Sequence, residues 1–240
     1  MKVSNRFEDP RRAFLLRALA TGLFMVAGPA ARGQALGRLP GTLPPGRSFY
    51  AVDGEVTVNG TAATLDTLVH AGDRVETGIR SRAVFAVGQD AFLLRADSHL
   101  QLAPAADEGA LVETLRLVTG RLLSVFGKRR HTLSTTVATI GIRGTGVYVE
   151  ADPEQSYVCT CYGTTDIAAA DDPSAGETIV STHHDAPRYV LAAGGGARLR
   201  PAPFRDHTDE ELALIEALVG RTPPFAVPAD GYGRPRRELY

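Results

Sequence analysis

Charge of either sign is not in excess: across 240 residues, 26 Lys and Arg stand against 27 Asp and Glu, a formal net charge of −1. That balance excludes the basic face or stripe with which a protein grips a phosphate backbone, so nucleic acid is not an expected partner. Long hydrophobic runs are also lacking. The one sustained apolar stretch, Ala18 to Ala31, holds about 14 residues and as a helix would reach ~21 Å, short of the ~30 Å hydrocarbon core of a bilayer. Signatures of catalysis are missing too. There is no Gly-x-Ser-x-Gly elbow and no His-Glu-x-x-His helix, and Asp171 and Asp172 sit beside Pro173 and Ser174 in what reads as a solvent-facing loop, so the chain is not expected to be an enzyme. Four histidines, His70, His99, His131 and His207, stand alone and are expected on the solvated surface. What remains is ordinary globular usage, 44% hydrophobic and 22% charged, which argues against both disorder and a membrane bundle.

The N-terminus departs from this average. Arg11-Arg12-Ala13-Phe14-Leu15 precedes the apolar stretch, which ends in Gly33-Gln34-Ala35. A charged region, a short apolar region and a small-residue cleavage site in that order describe a signal peptide removed after about residue 35. The arginine pair with Phe14 and Leu15 is similar to the twin-arginine export motif, which implies passage across the membrane in the folded state, with any metal already loaded. The expected location is therefore the bacterial periplasm or the exterior, with no transmembrane anchor after cleavage. Removing residues 1–35 takes away six basic and two acidic side chains and leaves a net charge near −5.

Residues 36–48, with Pro40, Pro44 and Pro45, read as a linker. From residue 49 to about 200 the chain is a series of short apolar runs separated by Gly, Asp, Asn and Pro. Ala83 to Val87, Arg121 to Phe126 and Tyr157 to Cys161 are examples, and few exceed six residues. The fold class is all-β. Gly54, Gly120 and Gly163 each open a turn followed by a short alternating strand, a repetition compatible with a β-solenoid or with a β-sandwich. Residues 201–240 hold one amphipathic helix and a tail. Thr208-Asp209-Glu210-Glu211 is a capping box, Leu212, Ile215, Leu218 and Val219 form a stripe, and Gly220 closes it. The tail carries Arg234, Arg236 and Arg237.

Three separated motifs carry a resemblance. Gly54-Glu55-Val56-Thr57-Val58, then Ala71-Gly72-Asp73-Arg74-Val75-Glu76-Thr77-Gly78 with Ser81-Arg82-Ala83, then Thr135 to Thr145 ending Gly141-Ile142-Arg143-Gly144-Thr145, together resemble the FecR domain over roughly residues 50–170. Physically, Gly72-Asp73 and Thr77-Gly78 suit turns around an inward Val75, with glycine supplying positive φ, and Ser81 and Arg82 suit bridges to a neighbouring strand. The 141–146 run has no Lys-Ser or Lys-Thr after it, so it reads as a glycine-rich corner with Arg143 paired to a carboxylate rather than a phosphate loop. The best-known relatives carry a cytoplasmic regulator of a sigma factor and one membrane helix, for which the residues before Arg11 leave little room. What the resemblance implies is an envelope module for binding, assembly or signalling whose partner is an envelope protein or a cell-envelope ligand.

The only cysteines are Cys159 and Cys161, in Tyr157-Val158-Cys159-Thr160-Cys161. On a strand they share a face, with sulfurs about 7 Å apart, which disfavours a disulfide between them. Some twenty residues on, His183-His184-Asp185-Ala186-Pro187 ends another run. If the two strands are neighbours, Cys159, Cys161, His183 and His184 can form a soft N/S site for zinc or copper, provided Asp185-Ala186-Pro187 already turns the chain. Asp185 would then accept from an imidazole. The same residues are compatible with two small buried hydrophobes and a polar strand end, with pairing to another protein, or with a thiol-dependent enzyme.

Overall fold

The computed structural model describes residues 39–104, 112–194 and 196–225. The expected leader with Arg11 and Arg12, and the arginines of the tail, lie outside them. Among the described residues no helix is long and apolar enough to cross a membrane. The elements are β1 (Phe49–Asp53), β2 (Val56–Val58), β3 (Thr61–Ala62), β4 (Arg74–Thr77), β5 (Arg82–Val87), β6 (Asp90–Leu94), β7 (Ser98–Ala103), β8 (Thr114–Val125), β9 (Arg130–Ser134), β10 (Ala138–Ala151), β11 (Gln155–Ala169), β12 (Asp172–Ser181), β13 (Arg188–Leu191), β14 (Leu199–Pro201) and the helix α1 (Asp209–Leu218). The domain is all-β with a single C-terminal helix.

Pairing runs β14-β13-β11-β10-β9-β8-β7-β4-β2-β3, with β12 added to β11 and the series β6, β5, β1 added to β8. Every pairing is antiparallel except β8 with β9, which is parallel over Thr114↔Thr132 to Arg116↔Ser134. A solenoid stacks its coils in parallel, so that form of the expectation is corrected. The ladder is that of a folded antiparallel sheet.

The strands are also longer than the short runs suggest: β8 has 12 residues, β10 14 and β11 15. The reason is glycine chemistry. Gly120 (φ +95°) lies inside β8 and Gly163 (φ +87°) inside β11, so each bends one continuous strand where the sequence suggests an end. The bend lets β8 pair with β7 along its first half and with β6 and β10 along its second.

Two apolar clusters result. Alternation sends Phe85, Phe92, Leu94, Leu122, Val147, Val149 and Val158 into the larger one, and Val84, Leu93, Leu123, Tyr148, Tyr157, Cys159 and Cys161 to the opposite face. That second face is closed by Leu212, Ile215 and Leu218 of α1, all buried, each contributing about 1.5–3 kcal/mol of transfer free energy. The capping box forms as read: the Thr208 hydroxyl accepts from the Glu211 amide, and the Glu211 carboxylate accepts from the Thr208 amide. Arg95 donates to Glu211 at 2.9 Å, and the Leu43 amide donates to the Leu218 carbonyl at 2.9 Å, so both ends of the helix are tied to the body.

The motif residues occupy corners of this frame. Gly72 (φ +102°) turns the chain into β4, and Asp73 accepts from the His70 amide and the Asn59 side chain, each at 2.7 Å. Gly78 does not take a positive φ, contrary to expectation; a Cβ there would press on the Glu55 side chain. Ser81 Oγ accepts from the Glu55 amide and Arg82 pairs with Asp53. Arg143 pairs with Asp166 at 2.7 Å across β10 and β11, beside Gly141. Gly144 and buried Thr145 form the bulge before Gly146, where the Thr145 hydroxyl donates to the Arg143 carbonyl at 2.7 Å.

Candidate metal centre

Strand β11 places both thiols. Its two-residue period points Tyr157, Cys159 and Cys161 to the helix-covered face while Val158 enters the main core, and both cysteines are fully buried free thiols. The strand's edge is shared by two partners with a gap between them. β12 leaves it at Gly163↔Ser181 and β13 rejoins at Val158↔Arg188, so residues 182–187 cross the stretch that carries the cysteines. This crossing is a tight turn. The Asp185 carboxylate accepts from the Thr182 amide at 2.7 Å, the Thr182 hydroxyl at 2.9 Å and the His183 amide at 3.3 Å, and His184 takes φ +56°. The His184 amide donates to the Cys161 carbonyl at 2.9 Å, which lays the imidazole over the strand with Nδ1 3.5 Å from Cys159 Sγ.

A fourth donor comes from the segment that leads into α1. His207, one residue before the helix cap, is buried and stacks on Tyr148 with ring centroids 4.4 Å apart. Its Nδ1 lies 2.7 Å from the Arg205 carbonyl and therefore carries the proton, which leaves the Nε2 lone pair free. That atom is 3.4 Å from Cys161 Sγ and 3.1 Å from His184 Nδ1. All four donor atoms, Cys159 Sγ, Cys161 Sγ, His184 Nδ1 and His207 Nε2, lie within 4.8 Å of one another. Bonds of ~2.3 Å to sulfur and ~2.0–2.1 Å to nitrogen in a tetrahedron put ligand atoms roughly 3.3–3.8 Å apart, so the residues fit a closed zinc-type site with small adjustments.

The outer nitrogens complete the arrangement. His184 Nε2 sits 3.0 Å from Asp209 Oδ1, the carboxylate–imidazole pairing that orients a metal-binding histidine, and His207 Nδ1 has the Arg205 carbonyl. Electrostatics favour a thiolate inside the tetrad. Burial alone would push the Cys159 thiol up, but the Cys161, His184 and His207 side chains around it hold it well below its ordinary value. Cys161 moves the other way, raised by desolvation and by Cys159 beside it. Burial lowers the His184 imidazole, and the Cys159 and Asp209 side chains outweigh it and raise it. A soft or borderline cation would replace the protons that these four side chains share.

No protein-family model matches the chain, and no curated protein matches it. It is similar to two crystal structures, at 1.65 and 2.50 Å resolution, described as a candidate anti-sigma factor from Parabacteroides distasonis ATCC 8503. Each shows 9% identity and a TM-score of 0.43, over 54% of this chain and 58% of the other. The chain thus spans less than two thirds of the length of those structures.

Of the residues expected in the site, Cys159, Cys161 and His184 come together and His183 does not join them. Its Nε2 instead lies 2.9 Å from Asp209 Oδ2. Asp185 accepts from no imidazole: the turn's own donors, Thr182, His183 and Ser181, take up its carboxylate, and Asp209 has the imidazole role. The sulfurs are closer than the 7 Å of a flat strand, since both lean toward one point. His207 and His131, both expected on the solvated surface, are instead buried, His131 against Asp90 at 3.1 Å. A signal for His207 is present in the sequence. It sits immediately before the cap of a helix whose apolar stripe has to pack on the β body, and such packing carries residue 207 inward.

Proposed function

We propose that the chain is an exported, metal-fastened binding or assembly module of the bacterial envelope, of the FecR type. One zinc ion, or copper(I), is held by Cys159, Cys161, His184 and His207. The observation that carries this reading is the buried set of four soft and borderline donors within 4.8 Å, with the far nitrogen of each imidazole already engaged. Four protein ligands leave no position for a substrate, which favours a structural rather than a catalytic ion. The ion would join β11, the 182–187 turn and the start of α1. In an oxidising compartment it would also keep two adjacent thiols from oxidation, and folded export would let it load beforehand. The FecR resemblance supplies the envelope module, its motif residues lying at the turns and corners described above.

The test is expression of the full chain with its own leader in a bacterium with a working twin-arginine pathway. The expected product is a soluble envelope protein cleaved near Ala35, carrying one zinc or copper per chain that is lost on Cys159→Ser with Cys161→Ser. Membrane-embedded protein with Met1 intact sinks the export reading, and metal-free protein indifferent to chelator sinks the metal reading.

A further inference from the structure

We propose that His183 Nε2, His184 Nε2 and the Asp209 carboxylate form a second, solvent-open site for a divalent transition-metal ion, joined to the inner centre through the His184 ring. The inference deepens the proposed metal centre and rests on it only through that shared imidazole. Adjacent histidines on a regular strand point to opposite faces. Here the left-handed backbone of His184 and the Asp185-held turn bring both rings onto one carboxylate. His183 Nε2 lies 3.0 and 2.9 Å from the two Asp209 oxygens and His184 Nε2 lies 3.0 Å from one of them. The three donors lie within 4.8 Å of one another.

Orienting His184 for the inner ion requires Asp209 alone. It gives no part to His183, whose ring is nevertheless held in place by Phe225 and by the His184 ring, with centroids 4.5 and 4.8 Å away. The side chain of His183 is 45% exposed and that of Asp209 24%, whereas the inner tetrad is shut. Two imidazoles and one carboxylate with open positions toward water are a ligand set for zinc, copper(II) or nickel rather than for calcium or magnesium. Asp209 lies in the first turn of α1. His184 would bind the inner ion through Nδ1 and the outer ion through Nε2. As the second ion binds, the His184 Nε2 proton shared with Asp209 would leave to solvent, and the His183 ring, whose Nε2 faces the same carboxylate, would carry its proton on Nδ1 instead. Two metal–nitrogen bonds across one imidazole set the ions roughly 6 Å apart.

The experiment is a cobalt(II) titration of the reduced, metal-free full chain, read by absorbance and by native mass. Two equivalents are expected. The first brings a thiolate-to-cobalt charge-transfer band, and the second brings weaker visible bands without it. His183→Ala should abolish the second equivalent and keep the first with its charge-transfer band. Cys159→Ser with Cys161→Ser should remove that band yet keep a His183-dependent equivalent, so failure of the inner reading is seen separately from failure of the outer one. Saturation at one equivalent in the unaltered chain, or two equivalents retained in His183→Ala, overturns the second site.

Discussion

The backbone amide of His184 donates to the carbonyl of Cys161 at 2.9 Å, so the turn that carries one donor is bonded main chain to main chain to the strand that carries two others. No substitution of His184 other than proline deletes that bond. Three of the four inner donors are therefore held by the sheet ladder and its continuation, whereas His207 depends on the packing of α1 and on the ring of Tyr148.

This difference makes His207 the donor whose loss is easiest to read. At a zinc concentration about 100-fold above Kd, binding adds about 2.7 kcal/mol, or roughly 5–10 °C in melting temperature for a chain of this size. His207→Ala should lose this zinc-dependent increment, and His183→Ala should keep it. Comparing each variant with and without zinc removes the separate cost of the lost Tyr148 stack. An undiminished increment in His207→Ala would exclude it as a ligand.

Gly120 is the test of the bent strand. A Cβ at this position would meet Ser98 Cα at 2.5 Å, and the backbone is at φ +95°. Gly120→Ala should cost about 2–4 kcal/mol from the left-handed conformation and overpacking together. Gly60 has φ +80° but open space around it, so Gly60→Ala should cost only about 1–2 kcal/mol. Urea unfolding of the two variants side by side measures the difference, and equal losses would show that the approach of β8 to Ser98 is not what requires glycine.

Asp166 supplies a pH dependence. The Thr178 hydroxyl, which donates to it at 2.7 Å, and the Arg143 guanidinium beyond it hold this carboxyl below the usual carboxylate range. A folded value below the unfolded one, about 3.9, adds stability above that pH, and the contribution disappears as pH falls through the folded value. Asp166→Asn should therefore be less stable than the parent near neutrality, and the gap should close as pH falls below the ordinary carboxylate range. Any acid release of metal is common to both proteins and cancels in the comparison. A gap that stays constant with pH would mean that shape, not charge, is what Asp166 contributes.

Much of the frame was legible because its causes are local. The Thr208–Glu211 capping box and the stripe at Leu212, Ile215 and Leu218 depend on neighbours within one or two turns, and they form as read. The shared face of Cys159 and Cys161 follows from the strand period alone. The sequence suggests strand ends at Gly120 and Gly163 where the strands run on, since the same positive φ that ends a strand in a turn can bend it when the ladder continues on both sides. Adjacency pairs His183 with His184 in the sequence, and it says nothing about which ring faces inward once the turn leaves regular strand geometry.

The all-β class, the terminal helix and the side-by-side thiols can be read from the amino-acid order, because propensity, period and capping act over a few residues. That a histidine 46 residues beyond Cys161 lies beside the two thiols follows from long-range packing. The same is true of Asp209, which takes up the outer nitrogens of two neighbouring imidazoles. Those contacts exist because α1 buries its apolar stripe on the outer face of the sheet, and burial of that kind is a long-range energy that no local pattern encodes.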